Sequence, residues 1–448
     1  MLHFREFIAQ LFQRPNWFDE IASIEKPDVL NALARLLGVS DFLWEDFLRM
    51  QYANLFPVVT DVAALSTSKP KSELEHELTR ALEENKVGDI QYPDWRAALN
   101  AFKDRELFRI DMRHILGLTK EFDDFSEELT DLAEITISAA LVNCEIELRS
   151  KHGGPLLENG QPCGLSLLAL GKCGGRELGF ASDIELMFVY AGDGRTNGAN
   201  EITTADYYEQ LVRSIVSAWQ TRQEGIFQID LQLRPYGKAG SMAVSFESFK
   251  NYYAPDGAAW AYERQALVKL RPITGDAQLS DELCRLRDVN VYESGPFDKI
   301  AMRAMRERQV RHLVTGGTFN AKFSPGGLVD IEYLIQGLQI NHGAQNPPLR
   351  LTNLRDAMSA LHADGVLSDD DHIRLRKAHT FLRWLIDSLR VVRGNSKDVT
   401  MPPFGSDEFI FLARRLRYES DAEHLRDDLT RYVADVQEIN VRLLSREG

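Results

Sequence analysis

Gly171-Lys172-Cys173-Gly174-Gly175-Arg176-Glu177-Leu178-Gly179-Phe180-Ala181-Ser182-Asp183-Ile184-Glu185-Leu186 follows directly on the apolar run Leu165 to Leu170. Residues i and i+2 of a strand point to one face, so Asp183 and Glu185 emerge side by side. Ile184, Leu186 and Phe188 then point the other way, towards a core. Two neighbouring carboxylates beside a glycine turn can hold a divalent metal against a polyphosphate. Mg²⁺ takes hard oxygen ligands and keeps waters and substrate phosphates in its shell.

Around this segment lies a short α/β pattern. Leu165 to Leu170 reads as one strand and Ile184 to Tyr190 as a second, ended by Ala191-Gly192-Asp193-Gly194. Thr204 to Gln220 reads as an amphipathic helix, with Leu211, Ile215 and Trp219 four apart. Ile226 to Pro235 alternates and predicts a third strand, with Asp230, Gln232 and Arg234 on one face. After about residue 243 the pattern is helical almost to the end.

The N-terminal 140 residues also read as helices. Leu30, Leu33 and Leu37 share helical spacing, as do Leu43, Trp44, Phe47 and Leu48. Ser66 to Lys71 reads as a loop, and Ser72 with Glu75 as a capping box opening the next helix. Residues 106–150 read as one or two longer helices. The order is helical, then a small α/β unit at roughly 150–275, then helical, without an internal repeat.

The bulk numbers bound the function. A chain of 448 residues with 44% hydrophobic content can build ordinary cores in two to four domains. A net charge of −15 argues against a general nucleic-acid binder, because phosphate backbones call for a basic surface. The four cysteines lack CxxC spacing, which disfavours a disulfide framework or a zinc site. Neither a signal-peptide h-region nor a run of about 18 apolar residues is present, so no membrane is expected and the cytoplasm is the expected location.

Asp183, Glu185 and Asp230 are the candidate catalytic and metal-ligating residues. Carboxylates on strands of one small sheet can hold one or two Mg²⁺ ions that clamp the attacking and leaving oxygens of a phosphoryl or nucleotidyl transfer. Gly174 and Gly175 would let backbone N–H groups approach phosphate, and Lys172 and Arg234 would add positive charge. A lone D-x-E can equally be a solvated strand end, and a lone Gly-Gly a simple turn. Their occurrence in order with a third strand carboxylate favours a site. Cys173 has no histidine in the same segment and is not read as a nucleophile.

These residues carry a resemblance. Leu167 to Tyr190 is similar to the nucleotidyltransferase superfamily pattern of a glycine pair followed by a D-x-D strand. More closely, the chain resembles the bifunctional glutamine synthetase adenylyltransferase/adenylyl-removing enzyme family, whose pattern is G-K-x-G-G-x-E-L-x-x-x-S-D-I-D-L-I-F-x-Y. It matches at Gly171, Lys172, Gly174, Gly175, Glu177, Leu178, Ser182, Asp183, Ile184, Leu186, Phe188 and Tyr190. Asp230 to Gly237 is similar to the family's D-x-R-L-R-P-x-G, Tyr262 to Lys269 to its W-E-R-x-A-L-x-K, and Lys322 to Gln336 to its K-x-x-x-G-G-x-x-D-I-E-x-x-x-Q. Three positions depart: Glu185 for the second aspartate, Gln232 for the first arginine of R-L-R-P, and Asn320 for a common aspartate.

The resemblance implies an α+β, mostly helical fold: a small mixed-sheet nucleotidyltransferase core at 141–275, between helical regions at 1–140 and 276–448. It implies transfer of AMP from ATP to a tyrosine of glutamine synthetase, or its removal by phosphorolysis to give ADP, with a PII-type signalling protein as possible partner. Ser182 and Lys269 join the nucleotide-binding set on the same ground. Only one motif set is visible where the usual enzyme has two, and the motifs do not give the direction. Two other readings stay open: a non-catalytic nucleotide-binding regulatory module, supported by the three departures, and a small-molecule nucleotidyltransferase. Glu263-Arg264 fits either a nucleotide contact or a structural brace, Gly326-Gly327 with Asp330 and Glu332 either a site wall or a turn, and Arg303, Arg306, Arg308 and Arg311 a solvated helix face or a docking surface.

Overall fold

A computed structural model describes residues 67–446 except 89, 222–225, 394–396 and 419–420, together with Phe12 and Leu65. The helices expected around Leu30 to Leu37 and Leu43 to Leu48 lie outside the described residues. The chain opens with α1 (Lys71–Glu84), a small hairpin of β1 (Lys86–Val87) and β2 (Ile90–Gln91), then α2 (Trp95–Ile115) and α3 (Phe122–His152). The expected capping box is absent. Pro70 is the N-cap of α1 without a side-chain hydrogen bond, which puts Ser72 inside the first turn. The region expected at 106–150 is two helices, and the expected boundary at residue 140 falls within the 31-residue α3.

The α/β unit comprises β3 (Pro155–Leu157), β4 (Leu165–Ala169), the single-turn α4 (Gly171–Gly174), β5 (Ile184–Tyr190), β6 (Gly194–Thr196), α5 (Thr204–Ala218), β7 (Ile229–Asp230), β8 (Ala243–Ser245), α6 (Phe246–Tyr253), α7 (Ala261–Ala266) and β9 (Arg271–Gly275). The remainder is helical: α8 (Ala277–Asp288), α9 (Lys299–Leu313), α10 (Leu328–His342), α11 (Leu354–Ala363), α12 (Asp369–Arg393), α13 (Asp407–Arg415) and α14 (Ala422–Arg446). This is the expected α+β, mostly helical fold.

β5 organises the sheet. It pairs antiparallel with β4, from Leu165↔Tyr190 to Ala169↔Leu186, and β4 pairs antiparallel with the edge strand β9. On its other edge β5 takes two short parallel partners in succession, β7 at Ile184 and Glu185 and β8 from Phe188 to Tyr190. The sheet is therefore mixed. Ile184, Leu186 and Phe188 are fully buried, as their alternation predicts, in a core shared with α2, α3 and α5. Met187 and Val189 face a second core built with α6, α8 and residues such as Phe297 and Ile340. Glu185 lies on that same side, at the strand's start, where the second core has not yet closed over it. A third core joins α10 to α14.

Two expectations about strands are corrected. The ten-residue strand at 226–235 is only the pair Ile229–Asp230, and residues 232–236 turn away. The edge of β5 beyond Glu185 is taken by β8, and Pro235 has no N–H to offer a ladder. The run after residue 243 is not purely helical either. β9 escapes sequence reading because it is short and contains Pro272, which an edge strand tolerates.

Candidate active site

A cavity of about 370 Å³ opens at the start of β5. Asp183 and Glu185 line it, as do Lys172, Ser182 and Glu177 from the α4 turn and the segment after it. Its far wall comes from the C-terminal helices: Lys322 and Phe323 before α10, Arg383, Ile386, Asp387 and Arg390 on one stripe of α12, and Lys397. Those α12 residues are spaced by three and four, so they share a helix face.

The carboxylates are placed for a cation. Asp183 Oδ1 and Glu185 Oε2 are buried atoms without a hydrogen-bond partner among the described residues. Burial, and beyond it the charge of Asp230, raises the Asp183 carboxyl above its ordinary range. Burial pushes the Glu185 carboxyl up to about 7, opposed by the Lys322 ammonium. A buried carboxylate oxygen lacking a donor is costly unless a cation reaches it. Asp230 stands opposite Glu185 in the parallel β5–β7 register. Its own oxygens accept from the Gln232 backbone N–H (2.7 Å) and side-chain amide (3.3 Å).

The expected set of three carboxylates is not assembled as one cluster. Among the described residues no group of three or more His, Cys, Asp or Glu could by itself hold a metal ion. The two unpartnered oxygens of Asp183 and Glu185 nevertheless suit Mg²⁺, which is commonly bound by one or two carboxylates with substrate phosphates completing its shell.

The cationic residues divide. Lys172 lines the cavity, yet its Nζ is hydrogen-bonded to Glu332 of α10, and burial lowers its ammonium to about 8. Lys269 pairs with Glu177 Oε2 at 2.5 Å and is buried outside the cavity lining. Arg234 is the clearest correction. Its guanidinium turns inward, donating to the carbonyls of Leu231 (2.6 Å), Gly240 (3.0 Å) and Ser241 (2.9 Å), so it clamps the 231–241 loop. The side chain follows the turn rather than the Asp230 face.

Gly174 and Gly175 are also corrected. Their N–H groups are spent on the Leu170 and Gly171 carbonyls (2.7 and 3.1 Å). A Cβ on Gly174 would lie 1.9 Å from the Lys269 carbonyl oxygen. The glycine is needed for close packing of two backbones, which leaves no phosphate cradle there. Ser182 lines the cavity, and its Oγ accepts from the Gly179 N–H at 2.9 Å, shaping the turn into β5.

Glu177, a motif residue with no role read from sequence, joins the halves of the molecule. Its Oε1 accepts from the Leu354 N–H (2.6 Å), its Oε2 from Lys269, and its carbonyl from Arg383 (2.7 Å). Glu263 bonds Tyr252 and the Trp260 N–H, and Arg264 bonds the carbonyls of Ala254 and Pro255, so both brace a loop. Gly327 caps α10, Asp330 pairs with Arg306, and Glu332 meets the site through Lys172. Arg303, Arg308 and Arg311 are exposed on α9.

With this geometry in view, the comparisons with known proteins are specific. The profile described as Glutamate-ammonia ligase adenylyltransferase matches residues 30–285, more than half of the chain. The chain belongs to the glutamate-ammonia ligase adenylyltransferase family. A second profile, GlnD PII-uridylyltransferase, matches residues 298–444. Similar curated proteins bear the name bifunctional glutamine synthetase adenylyltransferase/adenylyl-removing enzyme. The one from Hahella chejuensis is 32% identical over 366 residues, 80% of this chain and 36% of its own. Those from Shewanella loihica and Shewanella woodyi are 29% and 28% identical, over 84% and 89% of this chain and 39% and 41% of theirs. The chain thus spans well under half the length of these relatives. In this adenylyltransferase-family chain the cavity is lined from both profile matches, with the carboxylates in the first and Lys322, Arg383 and Arg390 in the second. Among the described residues no helix is long and apolar enough to cross a membrane.

The departures from the family pattern have structural counterparts. Gln232 holds Asp230 by two hydrogen bonds. Asn320 Oδ1 accepts from the N–H groups of Lys322 and Phe323, both at 3.0 Å, as an aspartate would.

Proposed function

We propose that this chain is a metal-dependent nucleotidyltransferase that adds AMP from ATP to, or removes it by phosphorolysis from, a tyrosine of glutamine synthetase in the cytoplasm. The observation that carries the reading is the pair of buried, unpartnered carboxylate oxygens of Asp183 and Glu185 in a cavity whose lining also includes Lys172, Lys322, Arg383, Arg390 and Lys397. Unpartnered acids at the strand start facing these cations suit a metal-bound polyphosphate, with Glu177 and Asp387 also in the lining.

In the forward direction a tyrosyl oxygen attacks the α-phosphorus of ATP, the bond to the β-phosphate breaks and pyrophosphate leaves. In the reverse direction a phosphate oxygen attacks the same phosphorus and the bond to the tyrosyl oxygen breaks, releasing ADP. Asp183 and Glu185 would hold the cation, with Asp230 on the adjacent strand. One or two bound Mg²⁺ ions would supply charge neutralisation at the nucleotide phosphates. Asp230, paired opposite Glu185 in the sheet, would take the proton of the attacking group. The cations of α12 and of the α10 entry attract the polyphosphate and orient it in line. The division into a core at 141–275 between helical regions at 1–140 and 276–448 belongs to this reading, and a PII-type protein is its expected signalling partner.

One observation favours a second reading, a nucleotide-binding regulatory module: Lys172 and Lys269 are already engaged by Glu332 and Glu177. Replacing Asp183 by Asn decides between them. If the chain is catalytic, the variant loses Mg²⁺-dependent modification of glutamine synthetase that the wild type performs. If ATP binds the wild type without turnover, the module reading stands.

A further inference from the structure

We propose that Lys322 binds a phosphate oxygen of the nucleotide directly. This rests on the function proposed above. The other cationic groups of the cavity have work within the protein. Lys172 is tied to Glu332. Arg383 donates to the Glu177 carbonyl and lies 4.4 Å over the Phe122 ring. Arg390 donates to the Phe180 carbonyl at 2.7 Å, and Lys397 also has a partner.

Lys322 differs. Its ammonium makes no hydrogen bond or ion pair among the described residues and lies over the Phe323 ring, 5.0 Å from Nζ to the centroid. Its backbone is fixed all the same. The N–H donates to Asn320 Oδ1 (3.0 Å) and the carbonyl accepts from the Val329 N–H (3.1 Å). A head group without an internal hydrogen bond on an anchored backbone can meet an incoming ligand without breaking one. Burial, with Arg390 nearby, pulls the ammonium below its ordinary value, against the charges of Glu332, Glu185 and Asp183.

The same cavity holds two acceptor oxygens without a donor, on Asp183 and Glu185, and neither forms an ion pair with Lys322 among the described residues. The carboxylates call for a cation and the ammonium for an anion. A metal-bound phosphate supplies both, whereas direct collapse of Lys322 onto the acids would supply only themselves.

Wild type, Lys322→Met and Lys322→Arg are titrated with ATP in the presence of Mg²⁺, and thermal unfolding of the unliganded proteins is recorded alongside. Loss of one charge-assisted phosphate contact weakens ATP binding by about 10- to 100-fold in Lys322→Met. Lys322→Arg should stay close to wild type, and all three should unfold at the same temperature. ATP binding by Lys322→Met equal to wild type overturns the assignment. So does a loss that tracks a lowered unfolding temperature, or an arginine variant as weak as the methionine one. Failure of the wild type to bind ATP overturns this assignment and the adenylylating direction of the proposed function, and leaves the phosphorolytic direction to the glutamine synthetase assay.

Discussion

The carboxylate of Glu185 occupies the space of the side chain that Gly171 lacks: a Cβ built on Gly171 would lie 2.7 Å from Glu185 Cδ and Oε1. The two are brought together because α4 begins where β4 ends, and the Leu170 N–H donates to the Glu185 carbonyl at 2.9 Å. The longer acid at a position where the family pattern has aspartate is thus accommodated by the glycine turn.

Gly171→Ala should therefore disable the site. Gly171 has φ +51°, so alanine costs about 1–2 kcal/mol from backbone strain alone. The new methyl group also displaces the Glu185 carboxylate. Shortening the acid relieves the second effect only. Gly171→Ala/Glu185→Asp should recover Mg²⁺ affinity relative to Gly171→Ala while remaining less stable than wild type. Calorimetric Mg²⁺ titration and urea unfolding of the three proteins check this.

Glu185 sets a pH dependence. Its carboxyl, raised by burial from 4.5 to about 7, keeps a proton in the folded chain that the unfolded chain has already lost. Metal-free stability should then fall as pH rises from about 4.5 to about 7, and Asp183, also raised, acts in the same direction. A metal ligand must be deprotonated, so Mg²⁺ affinity rises as pH passes through about 7. Titration at about pH 6 and about pH 8, on either side of that value, should show the increase in wild type. The dependence should be much smaller in Glu185→Gln.

Lys172 and Glu332 connect the sheet unit to α10. Glu332→Gln leaves the Lys172 ammonium part-buried with only the longer Glu177 contact (3.9 Å) and should cost up to about 3 kcal/mol. Lys172→Met/Glu332→Gln should recover much of that loss. A double-mutant cycle in urea gives the coupling, and additive losses would show that the pair contributes nothing.

Gly174→Ala separates packing from ligand binding. With 1.9 Å between the added Cβ and the Lys269 carbonyl oxygen, one backbone must move, at or above the ~3 kcal/mol upper end of overpacking costs. A variant as stable as wild type but weaker in ATP binding would restore the phosphate-cradle reading.

Much of the centre was legible in the sequence because it is local. The alternation of Ile184, Leu186 and Phe188 fixed the face of β5, and Asp183 and Glu185 followed from it. What escaped depends on distant chain. Lys172 meets Glu332 across 160 residues, and nothing near either predicts the pair. Arg383, Asp387 and Arg390 form a polar stripe on α12 that helical spacing shows, but only folding brings it against β5. Arg234 misled because clean alternation does not distinguish a strand from a turn once β8 takes the partner edge.

The central claim is tested most directly by intact-mass spectrometry of glutamine synthetase. One sample contains unmodified synthetase, this protein, Mg²⁺ and ATP, and the other contains adenylylated synthetase, this protein, Mg²⁺ and phosphate. The account predicts gain of one AMP per subunit in the first or its loss in the second, and neither change with Asp183→Asn. An unchanged mass in both samples with the wild-type protein would contradict it.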